Sequence, residues 1–161
     1  MRPIATLSVL GLLASALSSS ACGGPVDLKQ DTRVEDVSSG WFDAGIQDGK
    51  NKLVPSVTFR ISRSPGVDLS SISLNVAFRF TGEQEHSDDV FVQQVTFDGE
   101  STAPTTVRSQ FGYTAEPPQT RADMLKHGNF RDMEALIFAK QSSSQWVELH
   151  SVKIPRQLLT R

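Results

Sequence analysis

Ile72-Ser73-Leu74-Asn75-Val76-Ala77-Phe78-Arg79-Phe80 is the stretch that decides the fold. Counting from Ile72, every second side chain is large and apolar, and most of those between are small or polar. Successive side chains on a strand point to opposite faces, so this period of two predicts a strand with one face buried. Val57-Thr58-Phe59-Arg60-Ile61 repeats the alternation. Val90 to Phe97, Thr105 to Tyr113, Met133 to Ala139 and Trp146 to Ile154 are rich in β-branched and aromatic residues. A first strand within Val34 to Ile46 brings the expected number to about seven.

Turn signals separate these segments: Asp48-Gly49, Ser64-Pro65-Gly66, Thr81-Gly82, Asp98-Gly99 and Pro117-Pro118. Short strands at such spacing predict a two-layer antiparallel sandwich. Thr120-Arg121-Ala122-Asp123 reads as a capping box that starts one short helix between the fifth and sixth strands. Met124 and Leu125 would pack inward from it, and Gly128 would end it.

Ahead of the β pattern, Met1-Arg2-Pro3 carries one positive charge, and Ile4 to Leu17 runs apolar or small with no acidic residue. That is the layout of a secretory leader, and its apolar stretch is shorter than the ~20 residues a membrane-crossing helix needs. The leader ends in Ser19-Ser20-Ala21-Cys22, and Cys22 is the chain's single cysteine. This ending resembles the bacterial lipobox, with Ser19 standing where a Leu is usual and Leu17 two residues earlier. The resemblance implies export, cleavage before Cys22, lipidation of that residue, and anchorage to the cell envelope, with the outer membrane favoured over the inner. The expected organisation is a signal peptide over 1–21, a lipidated tether over 22–33 and a β-sandwich domain over 34–161.

Without a second cysteine the domain has no disulfide framework and must stand on its core. In strand count, and in the Trp that opens its last strand, it is similar to the small immunoglobulin-like domains of bacterial envelope lipoproteins, including the FxLYD-type group. Phe-x-Leu-Tyr-Asp itself is absent, so the likeness carries architecture alone: an all-β, immunoglobulin-like antiparallel β-sandwich of about seven strands.

The formal net charge is −2, and loss of Arg2 with the leader makes it more negative, which is not the basic footprint of a nucleic-acid binder. His86, His127 and His150 show no ligand spacing for a metal. No Gly-x-Ser-x-Gly, phosphate loop or dinucleotide fingerprint occurs. The expectation is a non-enzymatic chain with no metal and no cofactor, acting as an envelope binding or scaffolding protein on a protein or glycan partner. A carbohydrate-binding module is the alternative, and a hydrolase a distant third.

For the contact surface the sequence nominates Trp41 and Phe42, which are adjacent and so cannot both enter one core from a regular strand. Lys50, Asn51 and Lys52 would supply a polar, cationic rim beside them. Trp146 is read as core. Pro55, lacking an N–H for a sheet ladder, is read as lying at an edge or a strand start. Three observations would separate the functional readings: an exposed coplanar aromatic pair for sugar, a broad apolar patch for a protein, or a closed pocket with convergent polar groups for an enzyme.

Overall fold

A computed structural model describes residues 26–159; the leader, Cys22 and the lipidation expected there lie outside the described residues. The chain forms α1 (Leu28–Asp31), β1 (Thr32–Gln47), β2 (Lys50–Arg63), β3 (Ser71–Phe80), β4 (Asp88–Asp98), β5 (Ser101–Thr102), β6 (Thr105–Arg108), β7 (Tyr113–Ala115), α2 (Arg121–Lys126), β8 (Met133–Lys140) and β9 (Val147–Ile154). All strand pairings between named strands are antiparallel, in the order β1-β2-β5-β4-β3-β8-β9, with β6 and β7 also on β2. No helix among the described residues is long and apolar enough to cross a membrane.

The two outer strands approach each other and nearly close the sheet into a barrel. Ser39 Oγ on β1 donates to the carbonyl of Lys153 on β9 at 3.1 Å. Beyond β9 the tail runs parallel to β1, bridging Leu158 to Trp41. The fold is therefore an all-β, nearly closed antiparallel sheet.

Alternation set the register as expected. Ile72, Leu74, Val76 and Phe78 point inward and are almost fully buried, while Phe80 is partly buried at the rim of the core. Leu53, Val57, Phe59 and Ile61 from β2 meet them, as do Met133, Ala135, Ile137 and Ala139 from β8. Asp48-Gly49 joins β1 to β2 as a two-residue hairpin with both residues at positive φ, the conformation that Asp-Gly favours. The capping box also forms: the Asp123 amide donates to Thr120 Oγ1, and Asp123 accepts from the Thr120 amide. Met124 and Leu125 are buried, but α2 is capped at His127 rather than at Gly128.

Nine strands stand where about seven were expected, for two local reasons. The Thr105 to Tyr113 segment splits into β6 and β7, and a two-residue β5 turns back on β4 after Asp98-Gly99. Pro55 accounts for the split. It lies in the middle of β2 rather than at an edge, and the strands facing it stop: β6 pairs from Ser56 onward and β7 only up to Leu53. A missing N–H is tolerated in a central strand where the neighbouring ladder is interrupted. Within the gap Gly112 presses on the β2 backbone, so that a Cβ there would lie 2.2 Å from the carbonyl oxygen of Leu53.

Packing begins upstream of Val34. Asp27 caps α1 through the amides of Lys29 and Gln30, and Leu28 joins the core. The stretch 26–33, read from composition as tether, is therefore folded against the domain.

Candidate functional site

On β1, Trp41 and Phe42 do point opposite ways, but the large ring goes inside. Trp41 has no exposed surface, and it packs against Phe130 edge to face at 4.6 Å and against Tyr113 at 5.7 Å. Its Nε1 has no hydrogen-bond partner among the described residues, so ring contacts carry its burial. Trp41 is thereby removed from any contact surface. Phe42 lies on the outer face, half-buried, with the Arg108 guanidinium 3.6 Å above its ring.

The expected rim is not free either. Lys50 pairs with Glu116 at 3.3 Å, and Lys52 Nζ donates to Gln47 Oε1. Asn51 is buried, its Nδ2 donating to the carbonyl of Gln119 at 2.7 Å. These five residues form no common exposed surface, because register turns Trp41 and Asn51 inward and local partners occupy the others.

The exposed rings lie elsewhere, on the outer face of β3, β4, β8 and β9. Phe91 is 48% exposed and Trp146, read from the sequence as core, is 39% exposed. Their rings meet edge to face, with centroids 5.6 Å apart and planes at 84°. Phe91 belongs to β4 and Trp146 immediately precedes β9, so the pair reaches across the outer face of β3 and β8. Lys140 holds its ammonium 4.9 Å from the indole. To one side His86 Nδ1 lies 3.1 Å from Asp89, which also accepts from Asn75 Nδ2.

Beside the rings runs an open groove of about 370 Å³, walled by Phe91 and by Ser71, Ser73, Gln93, Gln94, Lys140 and Ser142. A β-bulge builds it. Leu74 pairs with Val92 and Ile72 with Val95, so Gln93 and Gln94 together oppose Ser73. The extra residue puts Gln94 at φ 49° and turns both amide side chains to solvent. Ser142 across the groove is also left-handed at φ 49°. A non-glycine residue at positive φ carries strain, and such bulges recur where a side chain is re-aimed.

Other concavities have less to offer. The cleft between α2 and β7, about 210 Å³, is below the ~300–1,000 Å³ of small-ligand sites, and the wider hollow between α2 and Leu158, about 530 Å³, has no aromatic wall. The groove containing Phe42 has its one aromatic face already taken by Arg108. Among the described residues no three His, Cys, Asp or Glu side chains converge as a metal site would require. No protein-family model, curated protein or solved structure matches the chain.

The sequence carried two signals for this site. In β4 the apolar positions run 90, 92, 95 and 97, and the step of three marks the bulge at Gln93-Gln94. Phe91 between two inward valines has to face out, whereas the alternation of Val152 and Ile154 carried back along the chain would put Trp146 inside, and only the bulge at Leu149 turns it out.

Proposed function

We propose that this chain is a lipid-anchored protein of the bacterial cell envelope whose β domain works by binding rather than by catalysis. The observation that carries the binding reading is the Phe91–Trp146 pair, two large rings left in solvent in contact with each other on one face of the sheet. Exposed aromatics of this kind are the residues that dominate recognition energetics. Export and anchorage rest on the leader and on Cys22, the outer membrane being favoured over the inner. In architecture we read the sheet as a variant of the immunoglobulin-like sandwich, with β1, β2, β6 and β7 forming one layer and β3, β4, β8 and β9 the other.

Photocrosslinking tests the surface. With a benzophenone side chain in place of Phe91, intact cells should yield adducts of the full chain. The same group in place of Thr106, which is exposed on the outer face of the other layer, is the control. Equal adduct yield from the two positions would remove the Phe91 face from consideration. Cys22→Ser tests the anchor: the protein should no longer be held in the detergent phase through lipid.

A further inference from the structure

We infer that the Phe91–Trp146 corner and its groove are a binding site for a glycan. This rests on the binding role proposed above and assigns that surface its ligand class. Three features of the site lead there.

The first is the chemistry of the walls. Gln93 and Gln94 present amides, and Ser71, Ser73 and Ser142 present hydroxyls, each of which both donates and accepts hydrogen bonds. Sugar hydroxyls have the same dual character and come in adjacent pairs that a side-chain amide bridges with its oxygen and its nitrogen. Lys140 is the only charged wall residue and lies against the indole, so a neutral or weakly anionic ligand suits the groove.

The second is the ring geometry. The pair is perpendicular, not coplanar, so it makes a corner rather than a flat platform. A pyranose ring has an apolar C–H face and a polar rim. Its C–H bonds, slightly positive, suit the negative face of one aromatic ring while the other ring closes the side. The rim then turns toward the amides of the bulge. Left-handed backbone at Gln94 and Ser142 sets the points from which these polar side chains leave the main chain.

The third is size, which separates a sugar from a protein partner. A stable protein interface buries ~1,200–2,000 Å² around an apolar centre. On this face Phe91 and Trp146 are the only exposed large hydrophobic residues described, and the surface beside them is polar. A groove of about 370 Å³ lies within the range of small-ligand clefts.

The test titrates the full chain, in detergent micelles, with protein-free glycan fragments released from the wall of the producing cell. Calorimetry and tryptophan emission are read together, since Trp41 is buried and Trp146 is the exposed fluorophore. Saturable binding with a change in emission is expected. It should weaken at least tenfold in Phe91→Ala and in Gln93→Ala. Trp146→Phe should keep calorimetric binding and lose the emission change. If no fragment binds while photoadducts still form at position 91, the ligand class is wrong and the surface stands; if adducts fail as well, the surface assignment falls with it.

Discussion

The backbone of Trp41 is hydrogen-bonded to the tail on both sides of its peptide: its N–H donates to the carbonyl of Gln157 at 2.8 Å, and its carbonyl accepts from the N–H of Leu159 at 2.9 Å. The tail lies so close that a Cβ on Gly40 would be 3.0 Å from the Gln157 carbonyl oxygen and 2.8 Å from Leu159 Cδ2. Gly40→Val should therefore lift the tail from β1. Losing two net hydrogen bonds and the Leu159 contact should cost about 2 kcal/mol. Hydrogen exchange at the Trp41 amide is the sensitive measurement, and an unchanged rate would show that the tail does not depend on Gly40.

Phe78 and Arg79 are neighbours on β3 with opposite fates. Phe78 is fully buried, and Phe78→Ala should cost about 3–5 kcal/mol. Arg79 points outward to Glu134 at 2.7 Å, with both side chains mostly covered. Arg79→Ala should cost about 1–2 kcal/mol, chiefly for leaving Glu134 unpaired. Denaturant midpoints that reverse this order would overturn the register of β3.

Gln94 tests the strain at the bulge. Left-handed backbone costs a non-glycine residue about 1–2 kcal/mol, and glycine loses about 0.5–1 kcal/mol more in chain entropy on folding. Gln94→Gly should thus be neutral or stabilising by up to about 1 kcal/mol, whereas the β-branched Gln94→Val should destabilise. A thermal melt in which glycine is the more damaging replacement would mean that the amide side chain, not the backbone, holds the bulge.

Asp88 links the start of β4 to the segment that follows β6. Burial pushes its carboxyl up, but hydrogen bonds from Ser109 Oγ and from the Gln110 amide, each at 2.7 Å, outweigh that and hold it below its usual value of 3.8. A depressed carboxylate contributes stability that is present above the unfolded value and lost as pH falls through the folded one. Asp88→Asn should therefore cost about 1 kcal/mol at pH 7, after allowance for solvent screening. The gap between the two proteins should narrow in acid, once the pH has dropped below 3.8. A gap that stays constant from pH 7 into that range would show that the charge plays no part.

The β class and the inward phase of β2 and β3 were legible because period two is a local signal that burial enforces. The capping box was legible for the same reason, its two partners being three residues apart. What escaped was non-local. Nothing in Trp41-Phe42 says which ring turns in; that was decided by Tyr113 and Phe130, distant residues that meet Trp41 only once the sheet has curled. Pro55 looked like an edge residue because the break in the facing strand that accommodates it lies in another part of the chain. The exposure of Trp146 was not legible, because the alternation of Val152 and Ile154 points it inward and the bulge at Leu149 that reverses the phase shows only in the pairing with β8.

The folding of α1 against the domain has a geometric consequence. Between Cys22 and the first described residue, Val26, lie only Gly23, Gly24 and Pro25. At about 3.3–3.6 Å per extended residue, a lipidated Cys22 would stand no more than ~15 Å from the body of the protein. The anchored molecule would have little freedom to turn over. Strand direction puts α1 at the end of the sheet where β2 and β8 finish and β3 and β9 start, and this is also the end that carries Ser71, Lys140 and Trp146. A short leash at that end would orient the Phe91–Trp146 corner toward the bilayer rather than away from it. Its ligand would then be met at the membrane face, not at a distance.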